Sequence, residues 1–171
     1  INEERKKAAS AHKFIGQSFH AEKLRNPSVA LAYITAPPRI ALYMKYSTRI
    51  YEIYLRYFAP EDMHVYSIDE VFIDLTSYLK NYQMDAKKLV SSVIRTVLKE
   101  TGITAAAGVG SNMYLAKIAM DIMAKHVQPD EYGVRIAYLD EMAYRKELWE
   151  HKPITDFGRV GQGYAKKLAM Y

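Results

Sequence analysis

Cysteine is absent from the 171 residues. That excludes a disulfide framework and thiolate zinc sites, and it is compatible with a reducing cytoplasm. No apolar run approaches the ~20 residues that a membrane span needs. The five histidines, His12, His20, His64, His126 and His151, lack ligand spacing, so no zinc site is expected. Neither a Walker-type phosphate loop nor a serine–histidine–acid arrangement is present. Internal repeats and low-complexity runs are missing, and no aspartate precedes Asp62. The chain starts at Ile1 without an initiator methionine or signal peptide, and stops at Tyr171 inside a pattern only just begun. We therefore expect an excised fragment.

What is present points to a packed domain. Half the residues are hydrophobic, too many for a disordered tail. This length buries roughly 70% of the unfolded surface and makes one domain, or one plus part of another. The net charge of +5 allows a polyanionic partner without demanding one. Most of the fifteen tyrosines fall at helical spacing and read as amphipathic core-edge residues.

Taken in order, residues 2–9 read as the last turns of a helix, 11–26 as loop, and 29–35 as a short strand. Pro37 and Pro38 open a helix over 39–58, with Ile40, Tyr43, Ser47, Ile50, Tyr54 and Tyr57 as its buried stripe. Asp85 caps a helix to about Glu100, and Gly102 stands where a C-terminal glycine cap belongs. Residues 103–110 form a strand of small residues, and 112–126 a helix burying Leu115, Ile118, Ala119, Ile122 and Met123. A strand follows over 133–139, Asp140 caps a helix to Trp149, and Pro153 marks a boundary. Strands interleaved with helices, one hairpin among them, suggest an α/β (α+β) sandwich of ferredoxin-like kind, which alone implies no function.

The chain is organised around His64 to Thr76, H-V-Y-S-I-D-E-V-F-I-D-L-T. Period-2 spacing predicts strands over 64–68 and 71–76. Successive strand side chains point to opposite faces, so Asp69 and Glu70 converge only if the chain bends between them. They are placed at a hairpin tip, where a hard divalent cation would hold both ionised. Taken alone, such a pair is a solvated acidic turn, and Asp74 is an ordinary strand residue. A second stretch, Thr101 to Lys125, joins a strand, a glycine turn and a helix whose free N–H groups at 110–112 suit an anion. Lys117, Asp121 and Lys125 lie four apart on one helix face; alone, they make a solvated stripe with internal ion pairs. The third stretch, P-I-T-D-F-G-R-V-G-Q-G-Y-A-K-K-L from Pro153 to Leu168, carries G-x-G before a basic helix.

Y-S-I-D-E-V-F-I-D-L-T resembles the metal-site strand pair of the Y-family (translesion) DNA polymerases, UmuC/DinB-like bacterial branch, and the two other stretches match that family in order. The resemblance runs from about Ala36 to the C-terminus and is weak before it. It implies a palm domain over 1–152 and the start of a helix-hairpin-helix thumb over 153–171. It implies DNA synthesis on two Mg2+ ions roughly 3.5–4 Å apart, with Asp69 across both and Glu70 on the ion that activates the primer end. The family's third ligand, an aspartate on the first palm strand, would lie upstream of Ile1, so these residues alone are expected not to polymerise. The resemblance places Lys125 on the incoming triphosphate and Lys117 near the DNA backbone. Arg159, Gly161, Gly163, Lys166 and Lys167 would hold a DNA phosphate without reading sequence. Gly158 departs from the bulky residue expected after Phe157. Partners implied are primer–template DNA, deoxynucleoside triphosphates and a sliding clamp bound through a tail outside this sequence. Two alternatives stay open: a non-catalytic DNA-binding relative, and a ferredoxin-like nucleotidyl cyclase.

Overall fold

The computed structural model describes residues 1–10 and 13–170; His12 lies outside the described residues. Two compact units divide the chain, Ile1–Arg39 and Ile40–Tyr171.

In the first unit, α1 (Asn2–Ala8), β1 (Gly16–Ser18), α2 (Ala21–Leu24) and β2 (Val29–Leu31) follow one another. Strand β1 runs parallel to β2, Gly16 opposite Val29. Polar side chains hold this unit together. Arg5 donates to the carbonyls of Leu24, Asn26 and Val29, and Asn2 bonds both backbone groups of Leu31. The loop expected over 11–26 therefore contains a strand and a helical turn. Elements this short have no period to read, and side chains from α1 fix them.

The second unit begins with α3 (Ile40–Tyr54), which ends before the expected 58. Its expected stripe is only partly covered: Ser47, Ile50, Tyr54 and Tyr57 are half-buried, Ile40 and Tyr43 are exposed, and the helix's buried residue is Ile53, outside that stripe. The reason is where α3 finds a neighbour. Arg49 donates to the Glu100 carbonyl, Arg56 pairs with Glu100 at 2.6 Å and Tyr57 meets Thr96 at 2.7 Å, all toward the helix's C-terminal end. That neighbour is a later helix over Ala86–Thr101.

The hairpin comprises β3 (Met63–Val65) and β4 (Val71–Ile73), antiparallel, with Met63 opposite Ile73 and Val65 opposite Val71. Both strands are shorter than the pattern predicts. Asp74 is not a strand residue: its carboxylate accepts the Thr76 N–H at 2.9 Å and the Thr76 hydroxyl at 2.6 Å, a local bond that turns the chain. These bonds hold the Asp74 carboxyl below its ordinary pKa, the Thr76 hydroxyl first among them. The chain then enters α4 (Thr76–Tyr82), where the pattern had suggested the end of a strand.

Helix α5 (Ala86–Thr101) starts where Asp85 accepts from the Lys88 N–H and stops at Gly102, whose φ of 73° needs no Cβ. Its buried face is Leu89, Val93, Ile94 and Val97. Leu89 and Val93 join Phe58 in one core cluster, flanked by Tyr54, Ile73, Leu75 and Tyr78. Strand β5 (Ala106–Gly110) precedes α6 (Met113–Ile118), which widens into π geometry over Ala119–Ala124. The single α-helix expected over 112–126 is thus two helical geometries in series. Strand β6 (Arg135–Leu139) lies parallel to β5, Ala106 opposite Arg135 and Gly110 opposite Leu139. Helix α7 (Glu141–Leu148) is capped by Asp140, which accepts from the Ala143 N–H at 2.8 Å.

The second core cluster joins Leu115, Ile118, Ala119 and Ile122 to Ala137, Leu139, Leu148 and Phe157. Phe157 is thereby a core residue, and a side chain at Gly158 would meet open space. The segment after Pro153 holds one 3-10 turn (Ile154–Asp156) and then α8 (Gln162–Leu168). The first helix of the expected pair is therefore a single turn. Anchoring Phe157 in the core leaves only Ile154–Asp156 for it.

The fold is mixed helix and strand. Among the described residues the strands form three two-stranded sheets, β1–β2, β3–β4 and β5–β6. No described helix is long and apolar enough to cross a membrane.

Candidate functional site

Residues 66–70 close the hairpin. The Tyr66 and Ser67 N–H groups both donate to the Glu70 carbonyl, at 3.0 and 3.2 Å. This pinched loop puts the bend at the acid pair. Asp69 is exposed and accepts from the Ser67 hydroxyl at 2.9 Å; Glu70 is half-buried. Both carboxylates border one cavity of about 700 Å³, together with Ser111, Asn112 and Lys117.

The opposite wall of that cavity is built by close backbone approach. A Cβ at Gly108 would stand 2.1 Å from the Ala116 carbonyl oxygen and 2.3 Å from the Met120 nitrogen. At Gly110 it would stand 2.4 Å from the Ala116 nitrogen. Only glycine lets α6 lie this near β5, and that proximity brings Lys117 to the hairpin. Asn112 starts the helix, its Oδ1 accepting from the Leu115 N–H at 3.0 Å. Asn112→Ala is expected to cost about 1 kcal/mol, seen as a lower urea midpoint at unchanged slope. Ser111 donates to Glu141 at 2.7 Å, fastening the turn to α7.

Lys117 does not stand free. Its ammonium is 2.5 Å from Glu70 Oε1 and 3.1 Å from Asp121 Oδ2, with the Tyr66 ring 5.6 Å away. Burial works to lower its pKa, but the hydrogen bonds it donates to Glu70 and Asp121 outweigh burial and leave it raised. Asp121 also takes Lys125 at 3.1 Å. The three residues share one face, and the middle carboxylate serves both lysines.

Carboxylate oxygens, as Asp69 and Glu70 offer at this cavity, are the donors that a hard divalent cation takes. Among the described residues no third acidic or histidine side chain joins them. An ion held there would draw its remaining ligands from water and phosphate oxygens. Arg159, Gly161, Gly163, Lys166 and Lys167 are all exposed, on and before α8. Neither Gly161 nor Gly163 is crowded. Sequence patterning missed three features of the site, the Lys117–Glu70 ion pair, the Tyr66 ring beside Lys117 and the Ser111–Glu141 bond. None has a local signal, because each joins residues distant in the chain.

The family described as impB/mucB/samB matches residues 14–121. The chain belongs to it. The UvrX protein of Bacillus subtilis (strain 168) is 27% identical over 125 residues, covering 72% of this chain and 27% of that protein. DNA polymerase IV of Listeria monocytogenes (serotype 4a, strain HCC23) is 31% identical over 129 residues, 75% of this chain and 33% of that protein. DinB from Sulfolobus solfataricus shares the fold with a TM-score of 0.60 at 22% identity, over 80% of this chain and 37% of that one. The chain thus spans about a third or less of the length of the two curated relatives and 37% of the DinB chain.

Proposed function

We propose that the chain is most of the palm, with the start of the thumb, of a Y-family translesion DNA polymerase that extends a primer 3′-end with deoxynucleotides. The observation that carries this is the hairpin-tip pair Asp69 and Glu70 bordering one cavity with the lysine-bearing helix. Family membership and relatives named DNA polymerase IV support it.

In this reading Asp69 and Glu70 hold Mg2+, which when bound stabilises charge on the attacking and leaving oxygens. Lys125, the more exposed of the two lysines, reaches the triphosphate as a point charge. Arg159, Lys166 and Lys167 attract the DNA backbone in a salt-sensitive way. A sliding clamp engages a region outside these residues.

The third carboxylate has a natural seat. Strand β4 pairs only with β3 and β5 only with β6 among the described residues, so each has an edge without a partner. Both line the cavity, whose wall is also built by Val90, Val93, Ile94 and Met120. An extended segment with alternating apolar residues would complete the sheet there and bring its acid beside Asp69 and Glu70.

Primer extension by the intact protein tests the proposal. Lys125→Ala should raise the apparent KM for nucleotide about tenfold, the scale of one charge-assisted hydrogen bond, and leave kcat nearly unchanged. Cyclic-nucleotide production, or primer–template binding without extension, would overturn the polymerase reading.

A further inference from the structure

Four charged groups form a single row at the hairpin tip. Glu70 touches Lys117 at 2.5 Å, Lys117 touches Asp121 at 3.1 Å, and Asp121 touches Lys125 at 3.1 Å. Two carboxylates and two ammoniums balance. Exposure sets one end of the row apart: Glu70, Lys117 and Asp121 are 27%, 21% and 20% exposed, whereas Lys125 is 57% exposed. The outer link is accordingly the weakest, since exposed ion pairs contribute little. Asp121 stands four residues after Lys117 and four before Lys125 on one helix face, which places its carboxylate between the two lysines.

Resting on the metal-site reading above, we propose that Lys117 stands in for a cation beside Glu70 and acts as a positioning residue that couples metal occupancy to the freeing of Lys125. A divalent ion reaching Glu70 repels an ammonium already in contact with the same carboxylate. Lys117 has a flexible stem and a second carboxylate within reach, so it withdraws fully onto Asp121. Asp121 Oδ1 already carries both ammoniums, Lys117 at 3.3 Å and Lys125 at 3.1 Å, while Oδ2 takes Lys117 at 3.1 Å, so a Lys117 drawn fully onto Asp121 presses on Lys125 by like-charge repulsion at the shared oxygen. Lys125 is the group displaced, and it is the one nearest solvent. An ion at the hairpin therefore releases an ammonium for phosphate, and the two binding events favour each other. Linkage makes this reciprocal: phosphate held by Lys125 leaves Asp121 to Lys117 and opens Glu70 to the ion.

The intact protein tests this without an activity measurement. Free Mn2+ counted by electron paramagnetic resonance should show Lys117→Gln binding Mn2+ about fivefold or more tighter than wild type, within the usual range of such couplings. Unchanged or weaker binding would mean that Lys117 merely orients Glu70, and would overturn the proposal while leaving the metal site standing. A second measurement needs no Lys117 variant. Amine labelling of wild-type Lys125, read by mass spectrometry, should rise a few-fold on adding Mg2+. In Asp121→Asn it should start high and not respond to the ion. Wild-type labelling indifferent to Mg2+ would end the coupling, and wild-type protein that binds no Mn2+ would sink the metal-site reading with it.

Discussion

Asp69→Ala in the intact protein is expected to lower primer extension at least about a thousandfold while primer–template affinity stays within about twofold. Asp69 is exposed at the tip of a loop whose closure rests on Tyr66 and Ser67 donating to the Glu70 carbonyl, so removing its side chain leaves those backbone bonds in place. Among the described residues the side-chain bond lost is the one from Ser67. Folding should therefore survive. What disappears is a carboxylate on which the proposed ion depends, and charge stabilisation of this kind is worth several kcal/mol, with a factor of ten for each ~1.4 kcal/mol. DNA contact is assigned to residues of another stretch, around α8. Primer extension and a salt-controlled binding titration, run on the same preparation, separate the two effects. Equal loss of both would show that the turn serves folding and not chemistry.

Gly108→Ala should be the most destabilising single methyl in the chain. The added carbon would stand 2.1 and 2.3 Å from backbone atoms of Ala116 and Met120, neither of which can rotate away as a flexible side chain would. Ordinary overpacking costs ~1–3 kcal/mol; a clash with helix backbone belongs at or above the top of that range. For a chain of this size each kcal/mol lowers Tm by roughly 2–4 °C, so a fall of about 10 °C is expected. The relief available is for α6 to move off β5, and Lys117 would go with it. Weakened contact between Lys117 and Glu70 should thus accompany the lost stability. Gly163→Ala is the control, because a Cβ there meets open space. A Gly108→Ala protein as stable as wild type would refute the close-approach account of this strand.

Some of this could be read directly from the chain. Asp85 and Gly102 bracket α5 as capping chemistry requires, and spacing marks Leu89, Val90, Val93, Ile94, Val97 and Leu98 as its apolar face, of which Val90 and Leu98 are only half-buried. Asp140 likewise marks the start of α7. The acid pair sits in a hairpin loop because period-2 runs on both sides leave room for a bend only there. Reading failed where no period exists or where a local polar bond overrides one. Strand β1 and helix α2 are too short to carry a pattern. Helix α4 begins where Asp74 captures the Thr76 N–H and hydroxyl, although the alternation of Val71, Ile73 and Leu75 reads as a strand running on. The stripe on α3 was legible as apolar, but its burial depended on where a neighbour lay.

The order of residues by itself determined which side chains carry charge, which helices are capped and where the chain must turn, since those follow from contacts a few residues apart. Only the tertiary structure decided that Lys117 rests on Glu70, 47 residues away. Nothing local in either stretch specifies that meeting. It depends on a strand slim enough for a helix to lie against its backbone, and on a hairpin brought to the same cavity by packing on α5.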